Sequence, residues 1–283
     1  MAAPARWLAV NADDFGFTRD VNQGIIEAHQ RGILTSATLM ANGGAFEDAI
    51  RRWRAAPSLD LGVHFVLVGG PSLSSPGKDL PPTVPRLAQA LLLKKLDVEA
   101  ELRAQMERIL AAGVRPTHAD THKHTHLLPS VLDAVARVAS AYSVGWVRRP
   151  VDFPMTGPAA KAPAGTRLAG RAMAVLRNRF HRVLGLHGCR TTDWFAGFRM
   201  TGRFDADSLV SLLCALPPGV TEFMTHPGRC GEELKSAPTR LKESRERELA
   251  ALTDARVIET IRTEGIRLVS YAALDARAGG YLP

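Results

Sequence analysis

Short apolar segments alternate along this chain with longer segments of helical periodicity, and this alternation restricts the fold more than any other feature. The sequence predicts strands near residues 7–12, 34–41, 60–67, 117–122, 145–149, 221–225 and 266–270. Helical patterns lie between them, and two apolar stripes with helical spacing are expected to face the core: Val98, Leu102, Met106, Ile109 and Leu110, and Leu209, Leu212 and Leu213. This order predicts an α/β fold, a single (β/α) barrel domain over residues 1–283, with helices outside a parallel sheet.

Residues able to bind a metal or carry a proton fall at or near the ends of the predicted strands. The first strand runs into the segment NADDFG at residues 11–16, where Asp13 and Asp14 are adjacent, and His64 interrupts the apolar third strand. A turn with a helix cap would explain one of the carboxylates, and a hydrogen-bonded core histidine would explain His64 alone. The active site of a barrel lies at the carboxyl ends of its strands, so these positions favour one shared site.

Four of the nine histidines stand on alternate positions of the segment HADTHKHTH at residues 118–126. In an extended segment His118, Asp120, His122, His124 and His126 would share one face. The run alone fits a solvated surface segment as well as a ligand cluster. Two histidines and a carboxylate are a frequent ligand set for a catalytic divalent cation, so we interpret Asp14, His64 and His122 as ligands. The set suits Zn²⁺, and Mg²⁺ or another divalent metal ion is the alternative.

Five short blocks, in order along most of the chain, resemble the YdjC-like carbohydrate deacetylases, relatives of the polysaccharide deacetylases. They are VNADDFG at 10–16, GILTS at 32–36, GVH at 62–64, DTH at 120–122 and THPG at 225–228. The resemblance implies a distorted seven-stranded barrel, a metal on Asp14, His64 and His122, and Asp13 as the catalytic base. Lys123 departs from the family's usual histidine-rich run. The segment at residues 193–204 further resembles the deacetylases of hopanoid biosynthesis, which implies an N-acetylglucosamine head group on a membrane triterpenoid as substrate.

Five more residues complete the expected site. His226 is the leading general acid, because a histidine beside Pro227-Gly228 is held in a turn and titrates near neutral pH. His124 and His126 are its rivals, and they are otherwise expected to contact the substrate. Arg148 is expected to orient Asp13 or bind substrate hydroxyls, unless Arg148 and Arg149 are a solvated pair. Asp120 is expected to fix the tautomer of a ligating histidine.

The ligand set predicts a metal-dependent hydrolase. The family resemblance implies that it removes an acetyl group from N-acetylglucosamine, and the resemblance of residues 193–204 implies that the sugar is carried on a hopanoid glycolipid. The alternatives are a deacetylase of soluble chitooligosaccharides such as diacetylchitobiose, and a sugar- or lipid-binding scaffold without catalysis. An amidohydrolase barrel would carry its His-x-His pair on the first strand, where this chain has Asp-Asp. A serine acyl-enzyme is disfavoured, because Ser75 and Lys78 lie in a Pro/Ser-rich loop.

The chain has a formal net charge of +8, and its excess of basic residues is local. Between Gly145 and Arg190 nine arginines and lysines face only Asp152. Within this region residues 167–186 predict a basic amphipathic helix, which either packs on the barrel or lies on an acidic membrane surface. No nucleic-acid-binding module is visible. The start of the chain lacks a secretion signal, so we expect a cytoplasmic protein, with contact to the inner face of the membrane. The widely spaced cysteines predict free thiols, and the oligomeric state is left open.

Overall fold

A parallel sheet forms the centre of the computed structural model, which describes residues 5–155 and 163–279. Its strands are β1 (Arg6–Phe15), β2 (Ser36–Leu39), β3 (Asp60–Phe65), β4 (His118–Thr121), β5 (Trp146–Val147), β6 (Trp194–Ala196), β7 (Gly219–Thr225) and β8 (Arg267–Leu268). The strand order is β5-β4-β3-β2-β1-β7-β6, and β8 pairs with the first residues of β1. Every strand pairing is parallel.

Helices connect the strands and cover the sheet. They are α1 (Arg19–Arg31), α2 (Phe46–Arg54), α3 (Val84–Leu92), α4 (Val98–Ala111), α5 (Pro129–Ala141), α6 (Ala164–Val175), α7 (Arg177–Leu186), α8 (Ala206–Cys214), α9 (Glu232–Ser236), α10 (Glu243–Leu252), α11 (Ala255–Thr263) and α12 (Tyr271–Gly279). The predicted stripes are buried as expected, except that Leu110 is only half-buried. Asp97 caps α4 and Thr18 caps α1, each accepting a backbone N–H of the first turn.

The two edges of the sheet approach each other, so the seven-stranded path curves into an incomplete barrel. Val147 N–H donates to the carbonyl of Arg190, which lies just before β6, and Phe153 N–H donates to the carbonyl of Phe195 in β6. The predicted seven-stranded barrel is confirmed, but one of its strands, β6, is not among those predicted from the sequence. The seventh strand of the path is β6, whereas the segment predicted at 266–270 contributes only the two-residue β8. With only three residues, β6 is too short for an alternation of apolar and polar side chains to reveal it as a strand.

Side chains inside the barrel form a closed apolar end and a polar upper part. Near the amino ends of the strands, Ala9 and Trp146 pack with Tyr271 and Leu274 of α12. One step further along the strands, His118 stacks on Tyr271, with ring centroids 4.0 Å apart, and contacts Asn11 Oδ1 at 2.8 Å. Above this level the interior carries the charged residues at the carboxyl ends of the strands.

The histidine run does not continue as a strand. β4 ends at Thr121, and His122–Leu127 form a 3₁₀ helix with a kink, because Lys123 and His124 have φ of 56° and 51°. The expectation that the five alternate residues share one face is therefore wrong beyond His122. His118 and Asp120 do lie on the same side of β4.

The basic segment is two helices rather than one amphipathic helix. α6 and α7 meet at Leu176, and Phe180, Val183 and Leu184 of α7 are buried in the core. Leu168 and Val175 of α6 are 69% and 82% exposed, so the predicted apolar stripe is divided between the core and the surface. Among the helices of the described residues, none is both long and apolar enough to cross a membrane. Cys189, Cys214 and Cys230 are free thiols.

Candidate active site

A bulge at the end of β1 directs both adjacent carboxylates into one cavity. Between the pairs Ala12–Ala37 and Phe15–Leu39, β1 advances three residues while β2 advances two. Asp14 takes a left-handed conformation with φ of 68° at this bulge. Neighbouring side chains of a regular strand point to opposite faces, and the extra residue removes this alternation. Asp13 and Asp14 consequently line the same cavity.

Asp14, His64 and His122 bring three potential ligand atoms together. Asp14 Oδ1 lies 3.3 Å from His64 Nε2 and 3.2 Å from His122 Nδ1, and the two nitrogens are 3.3 Å apart. Ligands at about 2.0–2.1 Å from a tetrahedral cation are separated by roughly 3.3–3.4 Å. Asp14 Oδ1 is buried and has no hydrogen bond of normal geometry within the described residues. The spacing, the donor types and this unsatisfied oxygen fit a divalent cation.

His64 is held by Asp120 on the neighbouring strand. The two residues are paired across β3 and β4, and His64 Nδ1 lies 2.6 Å from Asp120 Oδ1. Thr38 Oγ1 donates to the other oxygen of Asp120 at 3.1 Å. Burial alone would lower the pKa of His64, but the charge and hydrogen bond of Asp120, together with Asp14 and Asp13, raise it to about 10. The contact at Nδ1 leaves Nε2 directed at Asp14.

A buried arginine links Asp13 to two further carboxylates. Arg148 Nη1 and Nη2 donate to the two oxygens of Asp13 at 2.7 and 2.6 Å, and Nε donates to Glu222 at 2.6 Å. Nη1 is also 2.6 Å from Asp120 Oδ2. Burial opposes ionisation of Asp13, yet the charge and hydrogen bonds of Arg148 hold its pKa well below the usual range. The solvated alternative for Arg148 and Arg149 is wrong, because both are buried.

His226 follows β7 and lies beside Asp13. Its Nε2 is 3.9 Å from Asp13 Oδ2, and its backbone N–H donates to Glu248 Oε2 at 2.6 Å. Burial lowers the pKa of His226 to about 4, although the charges of Asp13 and Asp14 oppose this shift. Burial raises the pKa of Glu248 to about 7. His226 is therefore neutral near pH 7 in the metal-free protein.

The remaining histidines of the run occupy different places. His124 lines the cavity and packs against Phe198, with ring centroids 5.7 Å apart. His126 is fully buried outside the cavity wall, where Nδ1 contacts Thr121 Oγ1 and Nε2 is 3.1 Å from the Arg148 carbonyl. The ring of His126 can therefore position Arg148 but cannot touch a substrate in the cavity.

The cavity that contains these residues has a volume of about 1050 Å³. The loop after β3 forms part of its wall through Gly69, Gly70 and Pro71. Phe17, Val66, Val68, Phe198 and Leu241 add apolar surface. The site is thus a polar floor beneath a wide, mainly apolar wall.

Sequence reasoning missed three charged residues that contact this floor. Glu222 lies on β7, and Arg245 and Glu248 lie one turn apart on α10. All three are at most 1% exposed, and Arg245 Nη2 donates to Asp14 Oδ2 at 2.5 Å. The segment ESRERELAAL has the composition of a solvated helix, so no local signal separates these two charges from exposed ones.

A family model and individual proteins of similar sequence or structure were compared with this chain, and they agree on one family. The model of the family described as YdjC-like protein matches residues 7–263. A carbohydrate deacetylase of Geobacillus stearothermophilus is 35% identical, with 94% of this chain and 97% of that protein aligned. A carbohydrate deacetylase of Brevibacillus brevis is 33% identical, covering 94% and 99%. A crystal structure from Enterococcus faecalis, described as a proposed cellobiose-phosphate cleavage protein, superposes with a TM-score of 0.72 at 27% identity, covering 95% and 99%. The chain belongs to the YdjC-like family.

Proposed function

We propose that this chain is a metal-dependent N-deacetylase that hydrolyses the acetamide of an N-acetylglucosamine unit. The observation that carries the proposal is the approach of Asp14 Oδ1, His64 Nε2 and His122 Nδ1 to within 3.3 Å of one another, with Asp13 beside them in an open cavity. The relatives named carbohydrate deacetylases support an acetylated sugar as the substrate.

The proposed cation would be held by Asp14, His64 and His122. When bound, a divalent metal polarises a carbonyl group and lowers the pKa of water. Two imidazoles and one carboxylate suit Zn²⁺, so we propose zinc first; Mg²⁺ prefers oxygen ligands and is the alternative. Asp120 supports the set, because its hydrogen bond to His64 Nδ1 fixes the histidine with Nε2 toward the other ligands.

Asp13 and His226 are proposed to move the protons. As water adds to the acetamide carbon, Asp13 accepts its proton, and Arg148 holds the carboxylate in place through two hydrogen bonds. The C–N bond then breaks, and His226 protonates the departing amine nitrogen. His226 is neutral at neutral pH, so it must first receive this proton; Asp13 Oδ2 lies 3.9 Å from His226 Nε2.

We propose a hopanoid-linked N-acetylglucosamine as the substrate, because of the surface beside the cavity. Pro163 and Thr166, at the start of α6, line the cavity, and the same helix exposes Leu168 and Val175. Residues seven apart lie on one helix face. A sugar in the cavity could thus be attached to an apolar group at this rim. Soluble chitooligosaccharides, such as diacetylchitobiose, remain the second candidate.

The same surface is proposed to touch the inner face of an anionic membrane. No acidic residue occurs between Phe153 and Thr192, and Arg177 and Arg182 are exposed on α7. Basic side chains next to exposed apolar ones fit a lipid interface. The double variant L168D/V175D should lose co-sedimentation with vesicles containing anionic lipid, whereas I258D on α11 should not. Equal binding by both variants would reject this surface.

The substrate test is acetate release from N-acetylglucosaminyl hopanoid and from diacetylchitobiose, measured side by side with Zn²⁺, Mg²⁺, Mn²⁺ or Co²⁺ added to chelator-treated protein. Release from the glycolipid supports the proposal. Release from the soluble sugar alone rejects the lipid substrate but keeps the deacetylase. A protein that binds either molecule without releasing acetate under any metal would instead be the non-catalytic scaffold.

A further inference from the structure

Arg245 reaches the floor of the site from α10, outside the barrel. Its side chain is 1% exposed, and Nη2 donates to Asp14 Oδ2. Nε donates to the carbonyl of Leu241 at 3.2 Å, which fixes the guanidinium from a second direction. This residue belongs to none of the family-like sequence blocks.

Glycine in the His-Pro-Gly turn makes room for this side chain. A Cβ on Gly228 would lie 3.0 Å from Arg245 Cδ and 3.2 Å from its Cβ. Gly228 is packed still more closely against α1, where a Cβ on Gly24 would approach its Cα to 2.4 Å. The aliphatic part of the Arg245 side chain is thus packed tightly against the turn that carries His226.

The two oxygens of Asp14 consequently have different neighbours. Oδ2 is occupied by Arg245, whereas Oδ1 faces His64 and His122 and has no hydrogen bond of normal geometry in the described part of the chain. We propose that Arg245 is a positioning residue that makes Asp14 a one-oxygen ligand of the cation. This inference rests on the metal site of the proposed function.

The positive charge of Arg245 does not explain its position beside the proposed cation site. A guanidinium beside a cation site repels a divalent ion, so the residue cannot raise metal affinity through its charge. Arg245 instead fixes the orientation of the Asp14 carboxylate. A carboxylate that binds through one oxygen occupies one coordination position and leaves more positions for water and the acetamide, whereas a chelating carboxylate occupies two.

The test compares Arg245→Met with the matched control Arg247→Met, an exposed arginine two residues along the same helix. In Arg245→Met both oxygens of Asp14 become free to bind. We expect the variant to bind one Co²⁺ with an affinity equal to or tighter than that of the parent. Its visible absorption should weaken, as expected for a higher coordination number, and kcat should fall at least about tenfold at saturating metal. Arg247→Met should match the parent in all three measurements.

Loss of bound Co²⁺ in Arg245→Met, or an unchanged spectrum with unchanged kcat, would overturn the inference. Arg245→Gln keeps an N–H donor and should give a spectrum between those of the parent and Arg245→Met. This variant also serves as the test if Arg245→Met does not fold. In that case a parent-like spectrum and kcat in Arg245→Gln count against the inference, and a shift in both supports it. A parent protein that binds no divalent cation or releases no acetate would instead contradict the proposed function.

Discussion

Arg148 forms ion pairs with three buried carboxylates, so its replacement should destabilise the fold in a way that depends on pH. In Arg148→Met, Asp13, Asp120 and Glu222 lose their shared cation. Removing one partner of a buried ion pair costs about 3–5 kcal/mol. For a chain of this length the unfolding entropy is roughly 0.6 kcal/mol/K, which converts that loss into a fall in Tm of about 5–8 °C at neutral pH.

The pH dependence follows from the direction of each pKa shift. Arg148 holds the pKa of Asp13 below its usual value of 3.8, so in the parent this group stabilises the fold above that pH and loses its contribution only in stronger acid. Burial already raises the pKa of Asp120 and Glu222, and without Arg148 the pKa of all three carboxyl groups would be higher than in the parent. Carboxyl groups with raised pKa destabilise the fold most at high pH. The Tm deficit of Arg148→Met should therefore be smaller at pH 5 than at pH 7.5.

Thermal unfolding of chelator-treated protein, followed by circular dichroism at both pH values, measures this deficit without a bound cation. Arg149→Met is the matched control, because Arg149 is equally buried but contacts the carbonyl of Asp193 instead of the carboxylates. A deficit in Arg148→Met that is no larger than in the control, or that is equal at the two pH values, would refute the electrostatic reasoning.

Three further predictions concern the ligands, the loop and the helix packing. His64→Ala and His122→Ala should each lose bound metal by elemental analysis; stoichiometric metal in either contradicts the ligand set. Glu101→Gln should raise KM more than it lowers kcat, because the buried Glu101 carboxylate accepts hydrogen bonds from the loop at residues 72–74 beside the cavity; Glu99→Gln on the same helix should leave KM unchanged. Gly24→Ala should lower stability by about 1–3 kcal/mol in urea unfolding, because its Cβ would overlap a backbone atom, and an unchanged midpoint would show that the helix can shift.

The positions of the main site residues could be predicted because parallel strands bring their carboxyl ends together. Asp13, Asp14 and His64 lie at the ends of strands whose apolar character is plain in the sequence, and His122 directly follows β4. Strand geometry also placed Asp120 beside a histidine, since it pairs with His64 across the sheet.

Other features had no local signal. Lys123 and His124 adopt positive φ, which neither residue type indicates, so the histidine run was expected to be extended. β6 is only three residues long, which is too short for an alternating pattern of side chains to mark it as a strand. Arg245 contacts Asp14 across 231 positions of sequence, from a helix whose charged residues resemble solvated ones. Tertiary packing decides such contacts, and a single sequence contains no pattern for them.

Asp13 is proposed to act as the base beside a cation held by Asp14, His64 and His122. The most direct measurement is acetate release by Asp13→Asn, together with its metal content, compared with the parent on the same acetylated sugar. If Asp13 is the base, kcat should fall by about 10²–10⁴-fold while metal content stays near that of the parent. Full activity in Asp13→Asn would contradict this role.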